Sequence, residues 1–87
     1  MNIKINILEL LCSNNDEQEK YKLFKERLVE YCVNEKKALT CYRAIRHIEF
    51  DLLLIKDDIS KYNIEERMVD RLLFIIEIEL KLLKKKI

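Results

Sequence analysis

Glycine and proline are both absent from this sequence of 87 residues. Average usage would place roughly ten of them in a chain of this length. Tight hairpin turns, bulges and phosphate-binding loops need glycine at positive φ, so its absence argues against a β-rich fold and against such loops. Helices need neither residue in their interior, and the abundant Leu, Lys and Glu are good helix formers. The composition therefore predicts an all-α fold.

An excess of charge of one sign is also missing, because 17 basic side chains are balanced by 16 acidic ones and the net charge is +1. Only a local patch would therefore attract nucleic acid or anionic lipid. With 49% apolar and 38% charged residues, the chain is too apolar for disorder and too charged for an integral membrane protein. The longest apolar run, 72–76, is far shorter than the roughly 20 residues that span a bilayer. We expect one folded domain, 1–87, with no membrane partner.

The N-terminal sequence MNIKINILELL lacks the charged, apolar and small-residue zones of a signal peptide. Together with only three cysteines, this predicts a cytoplasmic, reducing setting with free thiols. A zinc site would need Cys12, Cys32, Cys41 and His47. Their intervals of 20, 9 and 6 residues match no familiar structural zinc spacing. We therefore predict neither a metal nor another cofactor.

A first long helix is predicted over 16–33. The polar segment 13–16 precedes it, and Asn15 as N-cap would place Gln18 at the third helical position, a capping box. Its apolar residues are spaced three and four apart: Tyr21, Phe24, Leu28 and either Tyr31 or Cys32. Asn34 is a candidate end, because Asn tolerates the left-handed conformation, although one bent helix running onward is the alternative.

A second long helix is predicted over 36–59 from a heptad pattern, in which apolar residues recur at the positions that pair two helices lengthwise. These seam residues are Ala38, Cys41, Ile45, Ile48, Leu52, Ile55, Ile59 and Tyr62. Leu53 and Leu54 lie outside the seam, so we expect this helix to be covered on a second side as well.

The third long helix is predicted over 64–85, where Asn63 and Glu66 have capping-box spacing after the polar segment 57–63. Its apolar stripe is Val69, Leu72, Ile76, Leu80, Leu83 and Ile87. Short connections predict antiparallel packing of neighbouring helices in a small bundle.

The first twelve residues fit two structures. Ile3, Ile5 and Ile7 alternate as in a strand, whereas Ile3, Ile7, Leu10 and Leu11 equally fit one face of a helix. Because a lone strand has no partner within a helical chain, we predict a short N-terminal helix. The strand alternative requires two copies to pair.

A basic cluster surrounds the segment CYRAIRHIEF, residues 41–50. Nucleic-acid binding through Lys36, Lys37, Arg43, Arg46 and His47 is one interpretation, and a solvated helix face is the other. As a catalytic base, His47 would need a nucleophile or an orienting carboxylate, and serine occurs only at positions 13 and 60. No phosphate loop, nucleophile elbow or paired-carboxylate motif is present. We therefore predict that the protein is not an enzyme.

Leftover apolar residues on the last helix, Leu73, Phe74 and Ile78, lie off the main stripe, and a small bundle has little to cover them. Together with the small size of the domain and the surplus apolar positions on the helix before, they predict self-association as a two-fold dimer. The resulting hypothesis is a non-enzymatic protein-interaction module, such as an adaptor, inhibitor or small regulator of a virus or mobile element. Its predicted contacts are Tyr42, Phe74 and Ile78, and nucleic-acid binding is the alternative.

Overall fold

The computed structural model describes residues 7–87, which form four α-helices and one 3-10 turn. These are α1 (Ile7–Leu11), α2 (Glu17–Asn34), α3 (Ala38–Asp57), the 3-10 turn (Ile59–Lys61) and α4 (Glu66–Lys84). No strand occurs within this part of the chain, so the all-α prediction is confirmed. The short N-terminal helix is also confirmed over α1, and the remainder of the ambiguous segment, 1–6, lies outside the described residues.

The start of α2 is set by Asp16, whose carboxylate accepts a hydrogen bond from the backbone N–H of Glu19 at 2.8 Å. This satisfies one of the unpaired N–H groups of the first turn and places negative charge at the positive end of the helix dipole. The predicted N-cap, Asn15, is therefore wrong by one residue. The capping prediction for α4 is also wrong: its N-cap is Glu65, two residues after Asn63, and no side chain bonds to the helix start there.

The chain breaks between α2 and α3 rather than continuing as one bent helix. Glu35 leaves α2 with an extended backbone, at φ −84° and ψ 125°, while its N–H still donates to the carbonyl oxygen of Tyr31 at 2.9 Å. None of the described residues has a positive φ, so the left-handed exit expected at Asn34 is wrong. The connection between α2 and α3 therefore turns through residues with extended backbone, and it needs no glycine.

The three longer helices enclose one apolar core, to which α1 adds Ile7, Leu10 and Leu11. The predicted seam of α3 is confirmed, since its middle residues are buried and its ends half-buried. Buried core residues from the longer helices include Phe24, Leu28, Tyr31, Cys41, Ile45, Ile48, Leu52, Ile55, Val69, Leu72, Ile76, Leu80 and Leu83.

Helix α3 packs most extensively on α4, and the two run antiparallel. Lys56, near the end of α3, pairs with Asp70 near the start of α4 at 2.6 Å. Helix α2 runs parallel to α4, because Arg67 reaches across to Glu17 at 3.1 Å from one helix start to the other. Neighbours in sequence are thus antiparallel, as the short connections predicted.

One packing prediction is wrong, and a second is met only in part within the chain. Ile87 is 62% exposed, because α4 ends at Lys84 and the stripe does not continue past it. Leu53 and Leu54 were expected to be covered on a second side of α3, yet they are 47% and 52% exposed. Leu53 lies beside Leu73 and Phe74 of α4, and Leu54 lies in a groove with Glu66, so the chain itself covers each leucine only in part.

Candidate functional site

Large apolar side chains are exposed on the outer faces of α3 and α4. On α3 these are Phe50, Leu53 and Leu54, and on α4 they are Phe74 (53% exposed), Ile78 (45%) and Leu82. They recur every three or four residues, which places each set on one side of its helix. Each helix is therefore apolar on two sides, one facing the core and one facing outward.

On α3 the outward side carries a shallow groove of about 680 Å³. Its lining brings together four of the predicted residues, Tyr42, Arg43, Arg46 and His47, with Glu49, Phe50 and Leu53. Arg46 pairs with Glu49 at 2.8 Å, so part of the basic charge is neutralised locally. Lys36 and Lys37 are exposed just before α3 and do not line the groove.

A second groove, of about 370 Å³, lies between α2 and α4 and contains the predicted Phe74 and Ile78. We call it the α2–α4 groove, and its lining is Gln18, Tyr21, Lys22, Lys25, Arg71, Phe74, Ile75, Ile78 and Glu79. The guanidinium carbon of Arg71 lies 5.8 Å from the ring centre of Tyr21 and 5.9 Å from that of Phe74. These distances allow cation–π attraction to both rings. The groove therefore has an apolar floor, and three cationic side chains, Lys22, Lys25 and Arg71, lie at its margin.

Tyr21 is held in this groove by its phenol group. The hydroxyl donates to the carboxylate of Glu17, which also pairs with Arg67. Burial and this hydrogen bond raise the pKa of Tyr21 to about 12. The phenol is neutral and a donor at physiological pH, and its hydrogen bond to Glu17 fixes the orientation of the ring.

A third groove, of about 380 Å³, lies between α3 and α4 beside the second. It shares Phe74 with the α2–α4 groove, and its lining is Glu49, Leu53, Asp70, Leu73, Phe74 and Glu77. Three of these six side chains are carboxylates. Phe74 thus separates a groove with a basic margin from one with an acidic lining, which gives this surface a defined charge pattern.

The candidate zinc residues are only partly brought together. Cys32 and Cys41 lie near each other, and burial raises the pKa of Cys32 to about 12 and raises that of Cys41 as well. Cys12 is exposed after α1, and His47 is exposed on α3. Among residues 7–87, no group of three or more His, Cys, Asp or Glu side chains is placed to hold a metal ion.

Sequence reasoning missed the outward apolar residues of α3, especially Phe50. The signal was present, because Phe50, Leu53 and Leu54 have helical spacing of their own. Leu53 and Leu54 were expected to be covered on a second side of α3, but they were not joined with Phe50 into one outward apolar face. Leu82 was missed for a similar reason, since it belongs to neither the core stripe nor the predicted contacts.

Comparison of the chain with protein-family models, curated proteins and solved structures finds no match. Within residues 7–87, no helix is both long enough and apolar enough to cross a membrane. The interpretation of the surface therefore rests on its own chemistry.

Proposed function

We propose that the protein is a non-enzymatic interaction module that self-associates and presents a helical surface to another protein. The observation that carries this proposal is the row of half-exposed apolar side chains on the outer faces of α3 and α4, with Phe50 and Phe74 as the largest. A contiguous apolar surface in water is costly, and on small domains it marks a site covered by another protein.

The α2–α4 groove is the proposed partner site. Phe74 and Ile78 form its apolar floor, and Arg71 lies over the aromatic rings with its charge at the margin. Buried aromatic side chains and arginine contribute most of the binding free energy in protein interfaces. A partner helix that inserts apolar side chains between them, with polar groups toward the margin, would remove this surface from water.

The test is capture of partners from the native host by three immobilised forms of the protein. Wild type and Val33→Ser should recover the same partner, and the double variant Phe74→Ser, Ile78→Ser should lose it. Val33 is a suitable control because it is 77% exposed and lies near the end of α2, outside the α2–α4 groove. Circular dichroism should show equal helix content for all three. Equal recovery by the double variant would show that the site is misplaced.

Nucleic-acid binding is a second candidate function, supported by the convergence of Arg43, Arg46 and His47 beside Phe50 in the groove on α3. Basic side chains beside an aromatic ring suit contacts with phosphates and an unstacked base. The pairing of Arg46 with Glu49 weakens this candidate. It predicts a gel shift in low salt that disappears steeply as salt rises, because phosphate contacts release counterions. No shift in low salt would exclude it.

A further inference from the structure

The outward side of α3 has a heptad pattern of its own. Leu39, Arg43, Arg46, Phe50, Leu53 and Asp57 follow one another at alternating intervals of four and three residues. We call this row the α3 face. At 3.6 residues per turn it lies opposite the buried seam of the same helix. Alternating intervals of three and four are the pattern through which two helices pack along their length.

Three apolar side chains of the α3 face are about half exposed. Phe50 is 59% exposed, Leu53 is 47% exposed and Leu39 is 44% exposed. All three lie on a helix whose other side is fully used by the core, so the exposed side is free to contact a second helix.

The charges on the α3 face are ordered along the helix. Arg43 and Arg46 lie on the N-terminal side of Phe50, and Asp57 lies at the C-terminal end. A parallel pair of identical helices would bring Arg46 against Arg46 and Asp57 against Asp57. An antiparallel pair instead brings the basic end of one helix toward the acidic end of the other. The face is therefore complementary to a reversed copy of itself.

We propose that two copies of this chain pair through the α3 face, antiparallel, about a two-fold axis between Phe50 and Leu53. Phe50 of each copy then packs on Leu53 of the other. Arg46 and Asp57 each lie four residues outside that pair, so Arg46 of each copy meets Asp57 of the other. This inference rests on the proposed function, which includes self-association. It adds which surface the two copies use and how their α3 helices are aligned.

Neighbouring registers are less favourable. A shift by one heptad toward the N-terminus places Arg46 on Phe50 and Arg43 on Leu53, so that charged groups cover the apolar ones. The opposite shift leaves Leu53 against Asp57 and Phe50 without an apolar partner. Only the proposed register matches apolar with apolar and acid with base.

The described residues are compatible with this pairing. The side chain of Arg46 is 56% exposed, and Glu49, its partner at 2.8 Å, lies on the same side of α3. Asp57 is exposed and has no ion pair among residues 7–87. The α2–α4 groove contains no α3 residue, so the pairing does not use its lining.

The experiment uses two charge reversals, Arg46→Asp and Asp57→Arg, separately and mixed. Each variant alone places like charges at both ion-pair positions of its own dimer, and we expect dimerisation weaker by about tenfold or more. In an equimolar mixture, the carboxylate introduced by Arg46→Asp would meet the guanidinium introduced by Asp57→Arg, and the unchanged Arg46 and Asp57 would meet each other. Both ion pairs are then restored, so native mass spectrometry should show the heterodimer as the main dimer.

The matched control is Arg27→Asp, which makes the same charge change at an exposed position on α2. Alone it should dimerise like wild type. Its heterodimer with Asp57→Arg keeps only one of the two ion pairs and places Arg46 against the introduced arginine at the other, so this mixture should give clearly less heterodimer than the mixture with Arg46→Asp. Equal recruitment by Arg27→Asp would show that net charge explains the rescue, and would overturn the register. A wild-type protein that is monomeric at micromolar concentration by sedimentation would overturn both this pairing and self-association. A wild-type dimer that neither reversal weakens would overturn the pairing alone.

Discussion

Ile76 and Ile78 allow one substitution to be made at two sites of opposite burial on the same helix. Ile76 is fully buried in the core, whereas Ile78 is 45% exposed in the α2–α4 groove. Replacing each with Ala removes the same atoms and leaves the backbone of α4 unchanged. The difference between the two losses of stability therefore reports burial and packing.

The magnitudes follow from the removed carbons. Ile76→Ala removes three buried carbons at about 0.8 kcal/mol each, and the cavity left behind raises the expected loss to about 3–4 kcal/mol. A chain of this length has a total stability of about 4–13 kcal/mol, so this loss is a large fraction of it. Ile78→Ala loses only part of the transfer free energy and leaves no enclosed cavity. Alanine's better helix propensity also offsets some of that loss, so we expect about 1 kcal/mol or less.

The measurement is urea unfolding followed by circular dichroism at 222 nm, at one fixed protein concentration so that self-association does not differ between samples. An unchanged dependence on urea concentration would show that both variants unfold from the same native state. Equal losses, or a larger loss for Ile78→Ala, would refute the assignment of core and outward faces on α4.

Three further predictions concern single side chains. Asp16→Ala should cost about 1 kcal/mol of stability in thermal unfolding, and Asn15→Ala close to none, because only the former caps α2; equal costs would contradict the cap. Folding favours the neutral phenol of Tyr21, whose pKa is raised from 10.0 to about 12. The free energy of unfolding that Tyr21 contributes is therefore complete below pH 10 and is lost as the pH rises to about 12. Urea unfolding measured at each pH should show this loss in wild type, and the contribution of Tyr21 to it should be missing in Tyr21→Phe. Cys12 should react first with a thiol reagent at pH 8, since Cys32 with a pKa of about 12 is almost wholly protonated there, and Cys12→Ser should abolish the fast phase.

The helices and their core faces were predictable because both depend on local properties of the chain. Absence of glycine and proline excludes most turns, and apolar spacing selects the buried side of a helix, as the seam from Cys41 to Ile55 shows. The capping residues were less predictable. Asn15 and Asp16 are both good N-caps, and only the backbone geometry of the folded chain selects between them.

The candidate surfaces depend on contacts between helices that no periodicity encodes. The stacking of Arg71 on Tyr21 and Phe74 requires α2 and α4 to lie parallel at one particular rotation. Likewise, the exposure of Leu53 and Leu54 was predictable only with knowledge of where α2 and α4 lie around α3. Apolar spacing alone predicted cover on a second side of α3, but it did not say whether the same chain supplies that cover.

Local sequence was thus sufficient to make this protein helical and to choose the side of each helix that faces inward, because backbone preference and apolar spacing act within a few residues. Which remaining apolar side chains stay in water, and which charges surround them, was decided only when the helices packed. That choice depends on the relative rotation and order of whole helices, and these follow from the core as a unit rather than from any one segment.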